Sequence, residues 1–156
     1  MRPLIIGYGN PLREDDGLGP RAAELLERQL APGAAEIVQC HQLTPELAAR
    51  FESASIVIFL DAACDQRPGA VVCEPVSPSG NPDWSHQLSP AQLLGLSLQL
   101  GAANRPGFVI RGGALRMGFE ERLTEVGERT AAVMAHAASG LLRLDPAAHQ
   151  KRFARS

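Results

Sequence analysis

The sequence contains few cysteines, and their spacing indicates neither a disulfide framework nor a zinc site. There are three, Cys40, Cys64 and Cys73, which is an odd number without a C-x-x-C pair. Disulfide-stabilised domains and zinc knuckles need paired or closely spaced cysteines. We therefore expect all three to be small, buried apolar side chains.

The sequence also lacks an excess of positive charge and a long hydrophobic run. The net charge is −2 at pH 7, and the 15 lysines and arginines are mostly spread along the chain. Nucleic acids and anionic lipids bind clustered cations, so neither is an expected partner. The chain has no run of about 18 apolar residues and no signal-peptide pattern at its start. We expect a cytoplasmic protein that does not bind membranes.

What the chain does have is an alternation of strand-like and helix-like segments, enough for one core in 156 residues. Apolar runs predict strands at residues 3–8, 36–41, 55–60, 69–76 and 107–111. Apolar periodicity and capping signals predict helices beginning near Leu18, Pro45, Pro90 and Thr124, with hydroxyl caps at Thr44 and Ser89. The predicted buried helix faces include Leu98, Leu100 and Val133.

This alternation predicts an α/β fold with a single domain over residues 1–144. The expected architecture is an open, mostly parallel, twisted sheet of about five strands with helices on both faces. We expect the polar and basic residues 145–156 to form a frayed tail.

Polar side chains follow several of the predicted strands, where ligands of such sheets bind. They are Asp15 and Asp16 after the first strand, His41 after the second, Asp61 after the third, and His86 before the third helix. Two carboxylates and an imidazole suit a divalent metal such as nickel or zinc. We interpret Asp15 as a cap of the first helix, and Asp16 and Asp61 as functional.

The first strand runs into GYGNPLREDDGLGP, residues 7–20, which begins like a nucleotide-binding turn. A dinucleotide site needs G-x-G-x-x-G, but Leu12 holds the third glycine position and carboxylates stand where phosphates would bind. A nucleotide-binding enzyme is therefore disfavoured. A phosphate-binding lysine loop and a G-x-S-x-G nucleophile turn are also absent, and nothing near Cys64 activates it as a nucleophile.

These residues together resemble the [NiFe]-hydrogenase maturation endopeptidases, which trim the C-terminal extension of the hydrogenase large subunit. The resemblance covers nearly the whole chain. It is carried by the opening G-x-G-N-x-L-x-x-D-[DE]-x-x-G, by QLTPELA at residues 42–48, and by the apolar strand that ends at Asp61. It implies that Asp16, Asp61 and a histidine contact a metal; His86 is our candidate for the histidine, and His41 is the alternative.

The resemblance also implies a mechanism, in which the protein holds no permanent cofactor and recognises nickel already loaded into its substrate. Asp16 and Asp61 would act in peptide hydrolysis, as in an aspartyl-type endopeptidase, and water would attack after activation by the metal or by a carboxylate. On this interpretation Gly7 and Gly9 shape the turn and Asn10 holds Asp16. The alternative is a non-catalytic nickel-binding or maturation-chaperone module that uses the same residues.

Overall fold

The computed structural model describes residues 1–80 and 87–144. Its strands are β1 (Arg2–Tyr8), β2 (Glu36–Cys40), β3 (Ala54–Ala63), β4 (Val71–Val76) and β5 (Gly107–Gly113). Its α-helices are α1 (Leu18–Gln29), α2 (Pro90–Gln99) and α3 (Glu125–Leu142), and two 3₁₀ helices cover Glu14–Gly17 and Pro45–Ser53. The predicted tail, 145–156, and His86 lie outside the described residues, so the domain boundary stays a prediction.

The five strands form one sheet in the order β2-β1-β3-β5-β4. β1, β2, β3 and β5 are parallel, whereas β4 runs antiparallel to β5 at the edge. An edge position suits β4 because Pro75 has no N–H to donate to a second neighbour. The predicted α/β fold, with a mostly parallel sheet of five strands, is confirmed.

Alternate residues of the central strands fill two separate cores, one on each face of the sheet. Ile5, Ile58 and Leu60 pack with α1 and α3 on one face. Ile6 and Phe59 pack with α2 and the second 3₁₀ helix on the other. Because both faces are covered, the central strands are apolar on both sides, as the run SIVIFL predicts.

The helix starts show where local sequence signals decide the structure. Ser89 forms the predicted capping box with Gln92: the Ser89 hydroxyl accepts from the Gln92 N–H at 3.2 Å, and the Gln92 side chain accepts from the Ser89 N–H at 2.9 Å. The predicted cap at Thr44 is wrong. Its side chain makes no capping hydrogen bond, and the segment that follows is a 3₁₀ helix rather than an α-helix.

Three side chains that were predicted to be buried on helix faces are exposed, and helix geometry explains why. Leu98 and Leu100 are 36% and 66% exposed, since leucines at every second position cannot all lie on one face of a helix. Val133 is 51% exposed because the buried stripe of α3 passes through Thr130, Met134 and their neighbours at intervals of three and four.

The cysteines are not buried as expected. Cys64 follows the end of β3 and Cys73 lies on the edge strand β4, and both are exposed. Cys40 is half-buried, and none of the three forms a disulfide. Within residues 1–80 and 87–144, no helix combines the length and the apolar character needed to cross a bilayer.

Candidate active site

The turn after β1 is built around Gly9. Its φ of 141° is one that side-chain-bearing residues rarely adopt, and a Cβ at this position would overlap the carbonyl oxygen of Asp16. The Gly9 N–H also donates to the carbonyl of Cys40 at 3.1 Å, so the turn is fastened to the end of β2. The predicted need for glycine in this sharp turn is confirmed for Gly9.

Asp16 lies in the first 3₁₀ helix, half-buried beside this turn. Its Oδ2 accepts a hydrogen bond from the backbone N–H of Asn10 at 3.0 Å. The side chain of Asn10 accepts instead from the Leu12 N–H at 3.0 Å and closes the turn. Asn10 therefore does hold Asp16, but through its backbone, while its side chain shapes the loop.

Asp61 lies within β3, which extends three residues beyond the predicted end, and is half-buried. Its Oδ2 accepts a hydrogen bond from the Tyr8 hydroxyl at 2.9 Å. Burial raises the pKa of Asp61, and the negative charge of Asp16 raises it further; the Tyr8 hydrogen bond, the Arg111 guanidinium and the Ala62 backbone act in the opposite direction. Asp16 and Asp61 are thus close enough for their charges to interact.

Asp15 does not cap α1, contrary to the prediction. That helix has Gly17 at its N-cap and no side-chain cap. Asp15 is 0% exposed and turns toward the start of α3, where it accepts from the N–H of Thr124 at 2.9 Å and from its hydroxyl at 2.8 Å. It also accepts from the Leu115 N–H at 2.8 Å, and it thereby joins the first 3₁₀ helix to the loop after β5.

Glu14 makes a second connection between the first 3₁₀ helix and the loop after β5. It has a φ of 49°, it is 7% exposed, and its carboxylate accepts from Arg116 Nε at 3.1 Å. Its N–H donates to the carbonyl of Glu120 at 2.9 Å. Positive φ in a residue other than glycine is a local strain that surrounding contacts must hold in place. Of the three acidic residues 14–16, Glu14 and Asp15 therefore connect two segments of the fold. Only Asp16 is left at the rim, by which we mean the edge of the sheet at the carboxyl ends of the parallel strands.

Of the two candidate histidines, the structure describes His41. His86 lies outside the described residues. His41 is exposed directly after β2, and with Pro11, Pro20 and Cys40 it lines a shallow depression of about 200 Å³. Within the part of the chain that the structure describes, no three His, Cys, Asp or Glu side chains are grouped to hold a metal ion.

Two residues beside Asp61 were missed by the sequence reasoning. Tyr8 ends β1, and Arg111 is the register partner of Asp61 on β5 and forms an ion pair with Glu74 at 3.8 Å. Both are polar residues at the carboxyl end of a strand next to β3. Applying the strand-end rule to the last residue of each strand, as well as to the loops, would have found them.

Comparison with solved structures gives matches over almost the whole chain. The hydrogenase maturating endopeptidase HybD from E. coli matches with a TM-score of 0.74 and 22% identity, over 92% of this chain and 93% of that one. The [NiFe]-hydrogenase maturation protease HycI from Thermococcus kodakarensis matches with a TM-score of 0.73 and 19% identity, over 92% and 93%. The chain has the fold of the hydrogenase maturation proteases.

A third structure with this maturation-protease fold comes from a Thaumarchaeota archaeon. It is a hydrogenase 2 maturation peptidase with a TM-score of 0.71 and 23% identity, over 93% of this chain and 100% of that one. No family model matches the sequence, and a comparison with curated proteins gives no match. The solved structures agree with the resemblance that the G-x-G-N opening and Asp61 suggest.

Proposed function

We propose that this chain is an endopeptidase that removes the C-terminal extension of a nickel-loaded [NiFe]-hydrogenase large-subunit precursor. The observation that carries the proposal is the placement of two carboxylates from separate segments: Asp16 lies in the 3₁₀ helix that follows β1, and Asp61 lies near the carboxyl end of the adjacent strand β3. This is where open α/β sheets bind their ligands. The maturation-protease fold of the chain supports the same function.

Two carboxylates at the same edge of the sheet favour a cation between them, and the negative charge of Asp16 adds to burial in raising the pKa of Asp61. Carboxylate and imidazole ligands accept nickel, and they leave coordination positions for the ligands that the substrate brings. On this proposal the nickel belongs to the substrate, and the enzyme has no cofactor of its own. Asp16 and Asp61 contact that nickel together with a histidine, either His86 or His41.

The proposed chemistry is hydrolysis of one peptide bond by water. The oxygen of water attacks the scissile carbonyl carbon, a base takes its proton, the C–N bond breaks, and the departing amine receives a proton. Asp61 suits the base, because burial raises its pKa toward the range in which a carboxylate accepts protons more readily. Activation of the water by the nickel as a Lewis acid is the second route, and both use the same two carboxylates.

The proposed partner is the large-subunit precursor, and the proposed compartment is the cytoplasm. Recognition through nickel would make cleavage a checkpoint: a precursor without metal lacks the ion that engages the two carboxylates. Nucleic acid and anionic lipid are not proposed partners, because a net charge of −2 with spread lysines and arginines does not favour binding to a polyanion.

Incubation with nickel-loaded and nickel-free precursor, followed by mass spectrometry of the large subunit, tests the proposal. We expect loss of the C-terminal extension only from the nickel-loaded form. Binding of the loaded precursor without loss of the extension would leave the non-catalytic module instead. His86→Ala and His41→Ala, assayed side by side, identify the histidine: the variant that loses nickel-dependent cleavage marks the ligand.

A further inference from the structure

Tyr8 is held on two sides at the edge of the candidate site. Its ring packs against the core cluster shared by α2 and the second 3₁₀ helix, while its hydroxyl donates to Asp61 Oδ2 at 2.9 Å. It is the single tyrosine of the chain. The residue thus connects the packed core on one face of the sheet to a carboxylate at the rim.

The two partners are fixed by the sheet itself. β1 and β3 are adjacent parallel strands in which Gly7 is the partner of Leu60, so Tyr8 and Asp61 are the next positions along the same register. Side chains at matching positions of adjacent strands point to the same face. The bond therefore joins two backbones that cannot move independently, which is the kind of support a precise site needs.

The hydroxyl is a permanent donor. A phenol keeps its proton throughout the physiological range, so the Tyr8 hydroxyl donates and Asp61 Oδ2 accepts. A carboxylate that accepts from a fixed donor loses its freedom to rotate. The neighbouring Asp16 is held differently, by a backbone N–H of the turn.

We propose that Tyr8 is a positioning residue whose hydroxyl fixes the orientation of the Asp61 carboxylate toward the cation of the substrate. This inference rests on the proposed function, in which Asp61 contacts nickel. Tyr8 itself touches neither the cation nor the scissile bond. Tyr8 acts through Asp61, whose carboxylate is already oriented when the substrate binds and needs no rearrangement.

The test compares two variants that each remove one hydrogen-bonded hydroxyl. Tyr8→Phe deletes the donor and keeps the ring. Thr130→Val is the matched control: the Thr130 hydroxyl donates to the Val126 carbonyl at 2.7 Å within α3, and the residue is 3% exposed. Thermal unfolding of both variants measures the cost of the lost hydrogen bond to the fold.

On nickel-loaded precursor, we expect Tyr8→Phe to lower kcat at least about tenfold and to raise KM as well, because the Asp61 carboxylate loses its fixed orientation toward the nickel both on binding and in the reacting complex. Thr130→Val should keep the wild-type kcat. If Tyr8→Phe loses stability but keeps wild-type kcat, the hydroxyl is purely structural and the inference is overturned.

A second readout does not depend on cleavage. Titration of the intact protein with Ni²⁺ alone, followed by calorimetry, should give an affinity about tenfold weaker in Tyr8→Phe than in wild type or Thr130→Val, and Asp61→Asn should remove this binding. Equal affinity in Tyr8→Phe and wild type, or no Ni²⁺ binding by wild type, overturns the inference. If wild type binds Ni²⁺ with this pattern but does not cleave the precursor, the proposed function fails and the positioning role stands.

Discussion

Asp15 and Asp61 are both shielded from water, Asp15 fully and Asp61 in part, but their surroundings differ. Asp15 accepts from two backbone N–H groups and one hydroxyl, which satisfy both of its oxygens. Asp61 is half-buried beside another negative charge, Asp16, and the net effect of its surroundings is to raise its pKa. A satisfied charge stabilises a fold, whereas a carboxylate at a strand end whose pKa is raised, chiefly by burial, is typical of a functional site.

The largest effect expected from this comparison is on activity. Asp16→Ala and Asp61→Ala should each lower the rate of precursor processing by about 1000-fold or more, since each removes a proposed ligand of the cation. This loss corresponds to about 4 kcal/mol in the barrier. The folded state should be retained, because neither residue lies in the core. Cleavage is measured by mass spectrometry, and folding by circular dichroism.

Asp65→Ala is the matched control for these two variants, because it removes an exposed carboxylate a few residues after Asp61. It should process the precursor at the wild-type rate. Wild-type activity in Asp16→Ala or Asp61→Ala would show that this residue does not belong to the site. Its carboxylate would then be no more important for processing than an ordinary surface charge.

The next effect concerns Asp15, where we expect a loss of stability. Asp15→Asn replaces one acceptor oxygen by an NH₂ group that faces N–H donors, so at least one buried donor loses its partner. We expect the free energy of unfolding to fall by about 3 kcal/mol. Urea denaturation of the two proteins measures the difference.

Any loss of processing in folded Asp15→Asn should be much smaller than in the rim variants. A variant with the stability of wild type, but with lost processing, would show that Asp15 is the functional carboxylate and would reverse the comparison.

A smaller effect is expected at the turn that presents Asp16. Gly9→Ala combines a φ of 141° with overlap between the new Cβ and the Asp16 carbonyl, and it should cost about 2 kcal/mol and lower processing. Gly33→Ala is the control: Gly33 also has a positive φ, 78°, but nothing lies within 4 Å of an added Cβ. It should cost about 1 kcal/mol and leave processing intact. Equal losses in the two variants would mean that backbone strain alone matters at Gly9.

The fold follows from the sequence because its signals are local and repeated. The apolar run before Asp61 can be accommodated only in a strand covered on both faces, and Ser89 with Gln92 specifies a helix start within four residues. The sharp turn at Gly9 is equally local. Each of these signals is contained in a short window, so neighbouring residues suffice to predict it.

The roles of Asp15 and Tyr8 could not be predicted in this way. Asp15 meets Thr124 across 109 residues, and Tyr8 meets Asp61 across 53. A local window shows Asp15 only as an acidic residue before a helix, for which capping is the usual interpretation. The contact that decides its role exists only after the loop following β5 has packed against the first 3₁₀ helix.

The smallest expected effect is on the pH dependence of stability, and it comes from Asp61. The pKa of Asp61 is raised in the folded state, so its protonated form is the one that folding favours. The stability it contributes is therefore fully present below the unfolded pKa and is lost as the pH rises through the folded pKa. Asp61→Asn, which imitates the protonated acid, should be more stable than wild type at pH 7, and the difference should shrink as the pH falls through that range.

Thermal unfolding of wild type, Asp61→Asn and the exposed control Asp65→Asn at a series of pH values from about 4 to 8 measures this difference. Asp65→Asn should follow the wild-type curve more closely. If Asp61→Asn is less stable than wild type at pH 7, then the Tyr8 hydrogen bond and the Arg111 charge outweigh burial, and Asp61 is a satisfied carboxylate like Asp15. The same melts thus show whether the folded protein raises the pKa of Asp61, which is the property that distinguishes it from a satisfied carboxylate.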